Sequence, residues 1–99
     1  MYVVIFRAKI KQFDEDYLKM SAKLRDIALK EFGCLEFIAL TQDENEIALS
    51  YWPDENSIKT WKQQADHLIA QELGRTQWYE SYSVEITEVK RSYHTNKEH

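Results

Sequence analysis

The chain has 99 residues, with 13 lysines and arginines against 17 aspartates and glutamates, and a formal net charge of −4. This length predicts a single domain over residues 1–99, and the acidic balance argues against a surface that neutralises nucleic-acid phosphates. A lone cysteine, Cys34, excludes an intramolecular disulfide and is compatible with a reducing compartment. The N-terminal apolar run is too short to span a membrane and lacks the features of a signal peptide, so we expect a cytoplasmic protein.

The first forty residues predict a strand, a helix and a second strand. Residues 2–10 are β-branched and aromatic without a breaker, which is typical of a strand. Asp14 is placed to cap a helix that runs to about Phe32, and Gly33 stands where a glycine commonly ends a helix. The helix prediction rests on apolar residues at spacings of three and four, namely Tyr17, Met20, Leu24, Ile27 and Ala28.

Residues 34–41 and 46–52 predict two strands, and the polar residues 42–45 between them predict the turn of a hairpin. Pro53 ends the third strand, and Asp54 is a suitable N-cap for a second helix. One apolar stripe of that helix contains Ile58, Trp61, Ala65, Leu68 and Ile69, followed by Glu72.

Gly74 is predicted to end the second helix, and residues 75–79 predict a short helical turn. Residues 82–89 predict a fourth strand, and residues 91–99 a frayed tail. The element order is β-α-β-β-α-β, which predicts a ferredoxin-like α+β fold with an antiparallel sheet and both helices on one face.

Three of the predicted strands carry apolar residues on both faces, whereas two helices can cover only one face. Val3 and Ile5, for example, lie opposite to Val4 and Phe6 on strand one. Because a soluble monomer rarely exposes an apolar sheet face of this size, we expect a homodimer that pairs the helix-free faces of two sheets.

Several activities can be set aside from the residue patterns. The third strand, EIALSYW, lacks the glycine and basic residues of an RNA-recognition module. The sequence contains no CxxC, HxxxH or HExxH spacing, so no metal site is predicted. It also contains no glycine-rich phosphate loop and no GxSxG motif. The features that remain are an aromatic-rich second half and one histidine outside the tail.

That histidine, His67, has two alternative orientations. In an unbroken helix it shares a polar stripe with Thr60, Gln63 and Gln71, turned away from Trp61. If the helix breaks near Asp66, which can act as a new N-cap, His67 turns inward and becomes available as a base or a haem ligand.

Three segments carry a resemblance to a known family: MYVVIFRAKI, ALKEFGCLEF, and the long stretch from EIALSYWPDENSIKTW through the W-x5-H, AQ-x-x-GR and WY-x-x-Y patterns. Together they cover almost the whole chain. In these respects the sequence resembles the antibiotic biosynthesis monooxygenase (ABM) domain family, whose dimeric α+β barrel fold also includes haem-degrading monooxygenases.

The resemblance implies a homodimer with a pocket between the sheet and helices of each protomer. Cofactor-free members oxidise flat phenolic or quinol-like molecules with molecular oxygen, after the substrate has been deprotonated in an apolar cavity. The resemblance therefore implies a monooxygenase without a cofactor. The implied catalytic residues are Trp61, His67, Arg75 and Asn56, and the implied substrate-binding residues are Phe6, Leu68, Tyr79 and Tyr82.

Two alternatives remain open. A haem-degrading monooxygenase, with haem as ligand or substrate, would use Trp61 and His67, but strand one offers Arg7 where that group carries asparagine. The other alternative is a non-catalytic dimer that binds a small ligand or acts in a stress response.

Overall fold

The computed structural model describes residues 1–71 and 78–96. Gly74 and the end predicted for the second helix lie outside the described residues, as do the last three residues of the tail. The six elements are β1 (Tyr2–Ile10), α1 (Glu15–Glu31), β2 (Glu36–Gln42), β3 (Asn45–Trp52), α2 (Glu55–Gln71) and β4 (Tyr79–Glu88).

The four strands form one sheet in the order β2-β3-β1-β4, and every neighbouring pair is antiparallel. This arrangement confirms the predicted ferredoxin-like topology, in which β1 lies between β3 and β4. The central position of β1 explains why its sequence lacks breakers, since both of its edges form strand ladders. Neither described helix is long and apolar enough to cross a membrane.

The predicted starts of both helices are confirmed by hydrogen bonds in their first turns. Asp14 Oδ1 accepts a 2.8 Å hydrogen bond from the Tyr17 amide, and Asp54 Oδ1 accepts one of 2.7 Å from the Ser57 amide. Each carboxylate thereby satisfies a backbone donor that has no partner within its own helix. After α1, Gly33 has a φ of 79°, the left-handed conformation that favours glycine.

Two strands start at least two residues away from their predicted first residue. β2 begins at Glu36 rather than Cys34, because the Cys34 amide is still bonded to the carbonyl of Ala28 in α1, at 3.0 Å. β4 begins at Tyr79, three residues before the predicted start, because Tyr79 pairs with Ile10 across an irregularity in the ladder.

The irregularity is a β-bulge in the β1–β4 ladder. Lys9 is opposite to Ser81, and the next residue, Ile10, is opposite to Tyr79, so Glu80 has no partner in the register. Tyr79 and Tyr82, although three positions apart, therefore pair with Ile10 and Ala8, which lie on the same face of β1.

Side chains on the helix-covered face of the sheet form two buried clusters. One is centred on Trp52 and Ile58, and the other on Tyr17 and Trp78. The opposite face leaves apolar side chains exposed in the isolated chain, with Ile38, Leu40 and Ile47 at 38%, 72% and 49% of their full exposure. The prediction that both faces of the sheet are apolar is therefore confirmed.

Candidate functional site

A cavity of about 120 Å³ lies between the two helices and the sheet. An engineered cavity of about 150 Å³ holds one benzene ring, so this space suits a small ring system. The lining includes residues from all six elements: Val4, Phe6, Tyr17, Met20, Ser21, Leu24, Phe37, Ala39, Glu46, Ala48, Ser50, Ile58, Trp61, Lys62, Ala65, Asp66, Ile69, Trp78, Tyr79, Tyr82, Val84 and Ile86. Most of these side chains are apolar or aromatic, as is usual for small-molecule sites.

A carboxyl group and a phenol meet in the wall of this cavity. The Tyr17 hydroxyl donates a 2.7 Å hydrogen bond to Glu46 Oε2, and both side chains are buried. Glu46 faces the cavity because alternate side chains of a strand point to the same face, and Ala48 and Ser50, two and four residues later on β3, also line the cavity. Tyr17 is held in the first turn of α1 by the Asp14 cap.

Burial raises the pKa of the Glu46 carboxyl above its usual value of 4.5, while hydrogen bonds from Tyr17 and Thr41 oppose the shift. Burial also raises the pKa of the Tyr17 phenol, and the neighbouring Tyr79 and Glu46 add to the effect. The phenol therefore stays protonated and acts as a donor. Glu46 is a carboxylate with increased basicity in an apolar setting, which is a property of catalytic acids and bases.

The indole of Trp61 forms one wall of the cavity. Its ring lies 5.3 Å from that of Trp52 and 6.2 Å from that of Phe37, measured between centroids. Trp61 Nε1 donates a 3.3 Å hydrogen bond to the carbonyl of Leu24, which ties α2 to α1. This bond fixes the ring plane against the cavity.

Aromatic rings form the opposite wall. Phe6 stacks on Tyr82 at 6.0 Å and meets Tyr79 edge-on at 5.6 Å. Trp78 meets Tyr17 edge-on, also at 5.6 Å. The cavity thus has aromatic side chains at both ends. The Tyr17–Glu46 pair, which joins α1 to β3, lies in its wall.

The cavity opens toward β4. The inward-facing side chains of that strand, Tyr82, Val84 and Ile86, retain 44%, 38% and 46% exposure although they line the cavity. Near the cavity on α2, Lys62 Nζ and Asp66 Oδ2 form an exposed ion pair of 2.8 Å. A ligand larger than the enclosed space would extend over β4.

The structure brings four of the residues predicted from the sequence together around the cavity: Trp61, Phe6, Tyr79 and Tyr82. Leu68 is buried but not among the lining residues, and it packs in the cluster that contains Trp78. Leu68 therefore supports the aromatic wall from behind.

Three other residues singled out from the sequence, His67, Asn56 and Arg7, are not among the lining residues. His67 is exposed because α2 is continuous through Asp66, whose carboxylate pairs with Lys62 instead of capping a new helix. Asn56 is exposed in the first turn of α2. Arg7 lies outside the lining, exposed, and pairs with Glu85 at 2.9 Å. Arg75 lies outside the described residues.

Sequence reasoning missed the Tyr17–Glu46 pair. The available signal was the alternation of side chains along β3, which places Glu46 on the same face of the sheet as Ala48, Ser50 and Trp52. An acidic residue on the helix-covered face of a strand is uncommon unless it is paired. No group of three or more potential metal ligands occurs within residues 1–71 and 78–96.

Two curated proteins show sequence similarity across nearly the whole chain. The Bacillus subtilis protein YqjZ is 32% identical over 91 residues, which cover 91% of this chain and 80% of YqjZ. The Pyricularia oryzae protein jasmonate monooxygenase ABM is 34% identical over an alignment that covers 98% of this chain and 47% of that protein. The chain thus spans about half of the length of the second relative. No protein-family model matches the sequence.

Solved structures share the fold at low sequence identity. SnoaB, a cofactor-independent oxygenase from Streptomyces nogalater, superposes with a TM-score of 0.75 at 11% identity and covers 92% of this chain and 94% of SnoaB. A crystal structure of an antibiotic biosynthesis monooxygenase superposes with a TM-score of 0.73 at 18% identity, over 92% of this chain and all of that one. These comparisons agree with the resemblance drawn from the sequence.

Proposed function

Because this chain belongs to the antibiotic biosynthesis monooxygenase domain family, we propose that it is a cofactor-independent monooxygenase acting on a small, flat ring compound. The observation that carries the proposal is the buried Glu46 carboxyl, with its raised pKa, in a cavity that is otherwise mostly aromatic and apolar. Two relatives support it: one is named a monooxygenase, and SnoaB is described as cofactor-independent.

In the proposed reaction, Glu46 removes a proton from an acidic carbon or hydroxyl of the substrate. The electron-rich anion then reduces molecular oxygen directly, and one oxygen atom is incorporated into the substrate. For an activated methylene the balance is R₂CH₂ + O₂ → R₂C=O + H₂O, so the substrate itself supplies all four electrons that reduce O₂. Tyr17 holds the carboxylate in position through its 2.7 Å hydrogen bond.

The aromatic walls have two roles in this scheme. Trp61 and Phe37 at one end, with Phe6 and Tyr82 at the other, provide flat surfaces on which a ring can stack. They also keep water from the base, which strengthens electrostatic interactions within the cavity. The enclosed volume of about 120 Å³ favours a one- or two-ring substrate over a larger polycycle.

Oxygen consumption by the metal-free, chelator-treated protein tests this function. A panel of single-ring and fused-ring quinols and activated ketones is supplied to wild type, Glu46→Gln and Glu44→Gln. Since general bases contribute about 10²- to 10⁴-fold, we expect Glu46→Gln to lose at least about 100-fold in rate. Glu44 is exposed in the same hairpin, so Glu44→Gln should match wild type.

Equal oxygen consumption by wild type and Glu46→Gln would show that Glu46 is not the base. Saturable ligand binding without oxygen consumption above the uncatalysed rate would identify a binding protein instead of an enzyme.

We also propose that the protein is a homodimer, formed by the helix-free faces of two sheets. The support is the exposed apolar surface around Ile38, Leu40 and Ile47. Leu40 and Ile47 are opposite each other in the β2–β3 ladder, so they form one continuous patch. Burial of such a patch would contribute about 25 cal/mol per Å² of apolar surface.

A further inference from the structure

One positively charged side chain lines the cavity among the residues that the structure describes, that of Lys62 on α2. Its Nζ forms a 2.8 Å ion pair with Asp66 Oδ2, one helical turn later, and the two side chains retain 49% and 43% exposure. Lys62 directly follows Trp61, whose ring forms a wall of the cavity. A half-exposed ammonium therefore lies where the apolar interior of the cavity meets water.

The Lys62 ammonium has donor capacity beyond this ion pair. A lysine ammonium carries three N–H donors, and the hydrogen bond to Asp66 uses one of them. An exposed ion pair also contributes little to the stability of a protein, because water screens both charges. A ligand anion can therefore join Asp66 at Lys62, or replace it there, with little loss of stability.

A second donor lines the cavity from the other helix. Ser21 on α1 is partly buried in the cavity lining, and its hydroxyl makes no hydrogen bond within residues 1–71 and 78–96. The two helices are joined at this level, because Trp61 Nε1 donates to the carbonyl of Leu24, three residues after Ser21. Ser21 and Lys62 thus bring donors from α1 and α2 to one cavity.

The acidic group inside the cavity determines how an anionic ligand lies. Glu46 is buried in the wall, and its carboxylate repels a like charge. A carboxylate in the apolar interior would also lose its hydration without gaining a partner, which is unfavourable. An anionic group of a ligand therefore stays at the half-exposed edge beside Lys62, while the ring of that ligand enters the aromatic interior.

We propose that Lys62 and Ser21 bind an anionic group, a carboxylate, that the ligand carries on a short chain outside its ring. The inference rests on the proposed function and adds an acidic side chain to its substrate class. The ring lies between the aromatic walls beside Glu46, and the contact with Lys62 holds the ring in one orientation. A ligand fixed at both ends presents the same ring atom to the base each time it binds.

The test compares three ligands of similar length that differ in charge: 3-phenylpropanoate, 3-phenylpropanamide and 3-phenylpropylamine. Each is titrated by calorimetry near neutral pH into wild type, Lys62→Met and Lys59→Met. We expect wild type to bind the acid at least about threefold more tightly than the amide, as for a partly screened ion pair. In Lys62→Met the acid-to-amide ratio should fall to about one. Lys59 is exposed on the same helix and outside the lining, so Lys59→Met should keep the wild-type ratio.

Further variants separate attraction by Lys62 from repulsion by Asp66. The double variant Lys62→Met, Asp66→Asn removes both charges and should lose the preference for the acid as Lys62→Met does. Asp66→Asn alone should keep or increase that preference, because the ammonium no longer has a competing carboxylate. Ser21→Ala should lower the acid-to-amide ratio by a smaller factor than Lys62→Met. Added salt should lower the ratio in wild type, because it screens the half-exposed charge.

Three outcomes would overturn the inference: no binding of any of the three ligands, binding of the acid no tighter than that of the amide or the amine, or an acid-to-amide ratio that is unchanged in the double variant. Lys62 is half-exposed, so its substitution should not prevent folding. Acid-selective binding that depends on Lys62, in a protein that consumes no oxygen, would contradict the monooxygenase proposal and support this inference.

Discussion

The Tyr17 hydroxyl lies 2.7 Å from Glu46 Oε2, and this hydrogen bond joins the first turn of α1 to the start of β3 in the wall of the cavity. The two residues are 29 positions apart in sequence. The bond provides a buried carboxylate with a donor, and it lies where a ligand would contact both side chains.

Tyr17→Phe removes one hydrogen-bond donor from the buried Glu46 carboxylate. Hydrogen bonds from the side chains of Tyr17 and Thr41 both lower the pKa of Glu46, and in the variant the one from Thr41 remains. We expect the free energy of unfolding to fall by about 1–3 kcal/mol near neutral pH. The loss should shrink in acid, where Glu46 is protonated. Urea unfolding at several pH values measures it. Tyr93→Phe is the control, because Tyr93 is 85% exposed. A loss that does not vary with pH would show that the charge of the Glu46 carboxylate is not its cause.

Glu46→Gln should change how stability depends on pH. Because the pKa of Glu46 is raised in the folded state, the native protein binds this proton more tightly than the unfolded chain does. The contribution of Glu46 to the free energy of unfolding is therefore fully present below its usual pKa of 4.5. This contribution is lost as pH rises through the pKa of Glu46 in the folded state. The stability of wild type relative to Glu46→Gln should decline from acid toward neutral pH, as measured by urea unfolding. A difference that rises with pH would show that the pKa is lowered.

His67→Ala should leave stability within about 0.5 kcal/mol of wild type, because the side chain is exposed on a continuous helix. It should also leave oxygen consumption unchanged, since His67 is outside the cavity lining. Haem titration checks the alternative role. A sharp Soret band in wild type that His67→Ala abolishes would show that this histidine ligates haem.

Leu40→Glu should convert a dimer into a monomer at micromolar concentration, because a carboxylate would be buried within the apolar patch on the helix-free face. Light scattering measures the mass against 11.9 kDa for one chain. Leu18→Glu is the matched control, since Leu18 is 51% exposed on α1, away from that face. A wild-type protein of monomer mass would rule out the dimer.

The order of elements could be predicted from the sequence because its signals are local. Asp14 and Asp54 cap their helices through backbone amides three residues away. Gly33 ends α1 through its own positive backbone φ angle. The strands were recognised from alternation and from β-branched residues. Such features depend little on the rest of the chain.

The site was harder to predict because its polar groups are joined across the fold. Trp61 was found from its place on an apolar helical stripe, but Glu46 gains its basicity from burial and from contact with Tyr17 on another element. His67 was selected for its chemistry, and its exposure is decided by the continuity of α2. The donors of Ser21 and Lys62 come to one cavity only when both helices are placed on the sheet.

The bulge at Glu80 decides whether one position of the cavity wall is aromatic or acidic. With the extra residue accommodated, Tyr79 is opposite to Ile10 and lines the cavity beside Tyr82. In a regular ladder continued from Lys9 and Ser81, Glu80 would instead be opposite to Ile10, which would add a carboxylate to those of Glu46 and Asp66 in the wall. A register slip of one residue would therefore replace an aromatic ring of the wall by an acid, with no change of sequence.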